Sequence, residues 1–131
     1  MESALIKLQE LNKKKLPTDG IIDSNLLVLC ERLNKLRAAW GKPMIITSGL
    51  RDELAQKNLI KAGLSKASKS KHLLGLAADI ADPDGSFGKW CLANARLLEE
   101  IGLWGEHSSY TPGWQHLQAC PPKSGKRFFA P

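Results

Sequence analysis

One stretch and a distant tripeptide constrain this chain more than anything else in it. The run Ser70-Lys71-His72-Leu73-Leu74-Gly75-Leu76-Ala77-Ala78-Asp79 carries a histidine and, after six residues, an aspartate; Trp114-Gln115-His116 supplies a second histidine much later. Two imidazoles and a carboxylate make a three-ligand set for a borderline metal such as Zn²⁺, with the fourth position open for water. An open position is what separates a catalytic metal site from a structural one. The short side chains in between fit that reading: Gly75 permits a tight turn after His72, and Ala77 and Ala78 let backbone and metal approach closely. By spacing alone, a His and an Asp seven positions apart are more often unrelated surface or core groups. The pair gains its force from context.

That context is the pattern Ser-x-His-x-x-Gly-x-Ala-x-Asp, with Trp114-x-His116 downstream and Ser48-Gly49-Leu50-Arg51 upstream. Together these blocks resemble the zinc D,D-carboxypeptidase and phage endolysin peptidase family of M15 type, which shares its fold with the Hedgehog signalling domain. The resemblance runs from about residue 8 to residue 117, with the blocks in family order. It implies a mixed α+β fold, an antiparallel sheet carrying a zinc site and flanked by helices. It also implies Zn²⁺ held by His72, Asp79 and His116, and a peptidoglycan stem or cross-link peptide as substrate, cut at a D-Ala-D-Ala or an L-Ala-D-Glu bond. The family's upstream block reads Ser-Gly-Tyr-Arg, and the arginine matching Arg51 is associated with the substrate's carboxylate or peptide end. A guanidinium fork suits a carboxylate because it donates two parallel hydrogen bonds. Leu50 replaces the family's aromatic, which removes part of the expected substrate stacking.

At 131 residues the chain is expected to form a single domain, 1–131, large enough for a core without staples. Hydrophobic residues at 43% and charged residues at 24% are ordinary for a globular protein. No apolar run reaches the ~20 residues that span a membrane. The start, Met1-Glu2-Ser3-Ala4-Leu5-Ile6-Lys7, lacks the basic-then-apolar pattern of a secretory signal. Synthesis in the cytoplasm is therefore expected, with action on the cell wall after release or from a virion. Cys30, Cys91 and Cys120 are odd in number and form no Cys-x-x-Cys, so they read as reduced thiols, the first two as packing residues. The net charge of +6 favours polyanions, nucleic acid or the anionic polymers of a bacterial envelope. With no zinc-finger, helix-turn-helix or RNP signature, specific nucleic-acid reading is not expected; a monomer is.

Along the chain, residues 4–11 carry a short helix-like stripe and residues 13–20 a polar linker with an Asp19-Gly20 turn signal. The strongest helix is expected over 25–40, capped by Asp23 or Ser24 and ended by Gly41. A buried strand follows over 44–48, a second helix over 52–62, and a flexible loop over 64–71. Ser70 should orient a ligand or touch substrate; a serine nucleophile would need a base of its own. Residues 76–81 read as a strand with Ala78 and Ile80 on one face and Asp79 on the other. A buried carboxylate there is expensive unless paired or metal-bound. A third helix is expected over 87–101, then a strand from Leu103-Trp104, a loop over 105–113 and a last strand over 114–118. The basic, Pro-rich tail 121–131 reads as peripheral.

A zinc peptidase also needs a carboxylate just outside the metal to take a proton from the attacking water and pass it to the leaving amine. Many family members place it three residues before the last histidine, which here is Gly113. The nearest carboxylate, Glu106, ends the preceding strand as in several phage-type and Hedgehog-like members, and is the expected general base. Trp114 can stack on substrate or wall the cleft; the core reading is equally open. Gly113 keeps a rival alive, a catalytically silent zinc-containing binding module of the Hedgehog kind. Two further rivals are a nucleic-acid-binding domain using the basic face and an amidase built on the same zinc logic.

Overall fold

The computed structural model describes residues 5–63 and 70–131. The expected loop over 64–71 therefore lies outside the described residues except for Ser70 and Lys71.

The long helix α1 spans Gly20–Trp40, five residues earlier than the sequence suggested. Its cap is not Asp23 or Ser24 but Asp19, whose carboxylate accepts the Ile22 N–H at 2.8 Å. The Asp19-Gly20 pair that reads as a turn is thus a helix start; Asp23 sits in the first turn, beside the positive end of the helix dipole. Leu26, Leu29, Leu33 and Leu36 form its buried stripe. Each such side chain contributes about 1.5–3 kcal/mol on leaving water. Arg32 ties α1 to the rest, donating from Nη1 to the carbonyls of Gly102 and Ala119, both at 2.9 Å.

A five-stranded sheet runs in the order β1-β2-β4-β3-β5. Its members are β1 (Ile46–Ser48), β2 (Ala77–Asp82), β3 (Trp104–Glu106), β4 (Gly113–Gln118) and β5 (Phe128–Phe129). β1, β2, β4 and β3 pair antiparallel, as expected for the family resemblance. Alternation along β2 puts Ala78 and Ile80 into the core with Leu117, Leu98, Leu103 and the α1 stripe. Asp79 points to the opposite face.

Two expectations need correcting. The helix over 87–101 is two helices, α3 (Ser86–Ala93) and α4 (Ala95–Ile101). Between them Asn94 leaves helical geometry at φ −115°, ψ 34°, and its side-chain amide donates to the Trp90 carbonyl at 2.9 Å. An amide that competes for backbone partners breaks a helix that apolar periodicity alone would extend. The tail is not peripheral either. Its last strand, β5, adds to β3 in parallel, with Gly105 opposite Phe128 and Glu106 opposite Phe129. Arg127 anchors it by stacking over the Trp104 ring at 4.3 Å and donating to the Leu103 carbonyl at 2.8 Å. The helix α2 (Glu53–Lys61) follows β1 after the short segment 49–52 that carries Arg51.

Candidate metal centre

The site is assembled where β2 and β4 lie side by side. Asp79 and His116 are direct cross-strand partners, so pairing alone brings their side chains together on the cleft face. His116 Nδ1 lies 3.0 Å from Asp79 Oδ1. His72 arrives from a 3-10 turn, Lys71–Leu74, just before β2. Gly75 closes that turn at φ 72°, in the left-handed region where a side chain would be strained. Ser70 opens it: its hydroxyl oxygen accepts the His72 N–H at 3.2 Å. His72 Nε2 then stands 3.4 Å from the same Asp79 Oδ1. One donor atom from each of His72, Asp79 and His116 lies within 4.8 Å of the others, and all three residues are buried.

Around this cluster lies a layer of partners. His72 Nδ1 is 2.8 Å from the Gly49 carbonyl, which can only accept, so Nδ1 carries the proton and Nε2 presents its lone pair inward. Gly49 is held there by close packing: a Cβ on it would sit 2.3 Å from the Leu11 carbonyl oxygen. The Arg51 guanidinium donates from Nη2 to Asp79 Oδ2 at 3.0 Å, from Nε to Ser48 Oγ at 3.0 Å, and from Nη1 to Gln56 Oε1 at 3.1 Å. His116 Nε2 meets Gln118 Oε1 at 2.9 Å. The Phe129 ring stands edge-on to His116, centroids 6.2 Å apart.

The electrostatics follow from these contacts. Burial alone would raise the Asp79 pKa, but the two imidazoles beside it, with His116 donating the hydrogen bond from Nδ1, hold it well below the usual carboxylate range. Burial dominates at His72 and lowers its pKa, favouring the neutral ring. At His116, burial also opposes charge, yet the Asp79 hydrogen bond and the nearby Glu106 and Asp79 carboxylates raise its pKa. Glu106 ends β3 and is half-buried; burial pushes its pKa up, His116 pulls it down and Asp79 adds to the rise. Its backbone carbonyl takes a hydrogen bond from Gln115 Nε2 at 2.8 Å.

Of the residues singled out in the sequence, His72, Asp79, His116 and Arg51 form one connected cluster, and Glu106 lies within its field. The Ser70 hydroxyl touches the backbone N–H of His72. Trp114 is half-buried two residues before His116 and pairs across the strands with Ala81. Sequence reasoning missed Gln118, Gln56, Ser48 and the Gly49 carbonyl as site partners. Only Gln118 left a signal, a polar residue two positions after His116 and so on the same face of β4. Two clefts of about 520 and 620 Å³ share Leu16, Leu50, Arg51 and Asp52 as walls. Arg51 is the residue that joins both to the histidine–aspartate cluster.

The donor set fits a divalent metal ion. Two imidazole nitrogens and a carboxylate oxygen converge, and each imidazole has its other nitrogen engaged by an oxygen of this chain, the usual outer support of a metal-bound histidine.

An α+β fold that brings Asp79 and His116 together on adjacent antiparallel strands, with His72 on the turn before the first of them, defines a candidate mononuclear metal centre. The chain belongs to the peptidase M15 family, whose model matches residues 4–111. It is also similar to the crystal structure of Serratia marcescens L-Ala D-Glu endopeptidase ChiX, at 21% identity and a TM-score of 0.52. That likeness covers 82% of this chain and 92% of the other, and supports the fold. No curated protein matches the chain.

Proposed function

We propose that this protein is a zinc metallopeptidase that hydrolyses an amide bond in peptidoglycan stem or cross-link peptides, acting as one domain over 1–131. The observation that carries the reading is the convergence of His72, Asp79 and His116 within 4.8 Å in a member of a peptidase family. The name of the structural neighbour, an L-Ala D-Glu endopeptidase, makes that bond the first to test; the D-Ala-D-Ala bond is the second.

His72, Asp79 and His116 would hold Zn²⁺, which when bound supplies Lewis-acid polarisation of water and of the scissile carbonyl. Glu106 takes a proton from the attacking water and returns it to the leaving amine. Its raised pKa suits a group that must do both near neutral pH. Arg51 keeps Asp79 ionised and oriented through Nη2. Its five N–H groups exceed the three contacts just described, leaving capacity to donate to a substrate carboxylate entering from the adjoining clefts. Ser70 fixes the His72 turn, and Trp114 walls the cleft beside His116.

Among the described residues no helix is long and apolar enough to cross a membrane. The net charge of +6 suits a monomer working among anionic wall polymers, as a phage-type lytic enzyme released to the wall or carried on a virion. One observation favours a second reading: the family's usual acid position is Gly113, which has no side chain. A silent binding module of the Hedgehog kind would keep the cluster and show no turnover.

Digestion of purified peptidoglycan sacculi, with and without a chelator, tests the proposal by mass spectrometry of released fragments. New termini that vanish with chelator and return with zinc name the reaction and the bond. Metal-loaded protein that cleaves no wall type would refute the peptidase and leave the binding module.

A further inference from the structure

The two histidines present different ring nitrogens to Asp79: His72 uses Nε2 and His116 uses Nδ1. For His72 the proton's position is settled by a backbone carbonyl. For His116 it is settled by a side chain, and therefore by something a mutation can change. Gln118 is buried, with 3% of its surface exposed. Its Nε2 donates to the Cys120 carbonyl at 2.8 Å, a partner that can only accept. That bond fixes which end of the amide is which, so the end facing His116 Nε2 at 2.9 Å is the oxygen. The imidazole nitrogen opposite it must then carry a proton. In the ion-free site Nδ1 donates to Asp79 Oδ1 at 3.0 Å, and it is the nitrogen whose proton an ion would displace to reach a lone pair.

We propose that Gln118 is a positioning residue of the metal centre: anchored by the Cys120 carbonyl, it locks His116 in the Nε2-protonated tautomer that presents Nδ1 to the metal. This rests on the reading of His116 as a metal ligand. Gln118 works through His116 alone, so its effect falls first on metal affinity and only through that on turnover. A neutral amide is chosen over a carboxylate because it can both accept from His116 and donate to Cys120. Gln and His are two apart on β4, so the strand itself holds the amide on the face where the ring needs it.

The test compares wild-type protein with Gln118→Leu, which keeps the volume and cannot accept, and Gln118→Glu, which restores an acceptor. Zinc affinity is read by competition with a chromophoric chelator, and long-range proton–nitrogen NMR of the zinc-loaded protein reports which His116 nitrogen is protonated. The expected result is an Nε2–H on His116 in slow exchange with solvent in wild type. In Gln118→Leu that signal is lost and zinc binds about 10- to 100-fold more weakly; Gln118→Glu, which accepts from His116 but cannot donate to Cys120, recovers part of the affinity. Equal zinc affinity in wild type and Gln118→Leu would overturn the proposal. So would a wild-type spectrum with His116 protonated at Nδ1, which needs no variant and holds even if Gln118→Leu fails to fold. Wild-type protein that binds no zinc would instead sink the metal reading, and this inference with it.

Discussion

Replacing Gly49 by alanine puts a methyl group where the backbone of Leu11 already stands. The new Cβ would lie 2.3 Å from the Leu11 carbonyl oxygen, 2.8 Å from its carbon and 2.9 Å from its Cα. These are main-chain atoms and cannot rotate aside. Reaching even the 3.0 Å below which real Cβ contacts essentially never occur requires a shift of 0.7 Å. Two bonds resist that movement: Leu50 N–H to the Leu11 carbonyl at 2.8 Å, and His72 Nδ1–H to the Gly49 carbonyl at 2.8 Å. Taken wholly along the second bond, the shift stretches it to about 3.5 Å, beyond a useful hydrogen bond. Overpacking costs about 1–3 kcal/mol, and an orphaned buried N–H adds a similar amount. A loss of about 2–6 kcal/mol is expected, about 7–22 °C in Tm for a chain of this size. Because the released carbonyl is the outer partner of His72, zinc affinity should fall about 10- to 100-fold although no ligand has changed. Urea unfolding and chelator competition on the same preparation read both effects. An alanine variant as stable as wild type that binds zinc equally well would refute the reasoning.

The remaining predictions concern charge and the tail. Glu106→Gln should lower turnover of wall peptides by about 10²–10⁴-fold while zinc stoichiometry, read by atomic absorption, stays unchanged; undiminished turnover would remove Glu106 from the mechanism. Asp79 is held below the usual carboxylate range, so its contribution to stability is present above its unfolded pKa of about 3.9 and is lost as pH falls through the folded value. Acid unfolding of metal-free protein should therefore be shallower in Asp79→Asn than in wild type over the range below about pH 4. His116 is raised, so its stabilising proton is fully present below about pH 6.5 and is lost as pH rises through the higher folded value. The same proton must leave before Nδ1 can bind an ion, so apparent zinc affinity should climb with pH across that window and then level off; a flat titration would contradict the assignment. Arg127→Ala removes the stack on Trp104 and the bond to the Leu103 carbonyl, and should cost about 1–2 kcal/mol by thermal unfolding.

The clustering of His72, Asp79 and His116 was legible because metal chemistry restricts residue type and because the blocks of the resemblance keep their order. The strand carrying Asp79 was legible for a simpler reason, since only alternation explains small apolar residues around a lone carboxylate. What stayed hidden lies in the backbone. Asp19 reads equally well as a turn or as a helix cap, and only its extended conformation with an acceptor over Ile22 decides. Asn94 breaks the helix through a side-chain bond to Trp90 that apolar periodicity does not register. The Gly49 carbonyl, partner of His72, has no side chain to advertise it. The tail's Phe128–Phe129 is too short to read as a strand without the edge of β3 beside it. The bonds of Arg51 to Asp79, Ser48 and Gln56 were equally hidden, because they depend on β1 and α2 folding against β2.

The pairing of Asp79 with His116 has a consequence for how the chain finds its native sheet. Side chains along a strand alternate with a period of two, so slipping β2 against β4 by one residue would turn Asp79 inward and offer Ala78 or Ile80 to the cleft. Neither can bind an ion. An ion bound jointly by the two strands and the preceding turn therefore recognises one alignment and gives nothing to its neighbours. With an ion bound, the cluster would act as a proofreader of strand alignment, adding its binding energy only to the correctly registered sheet.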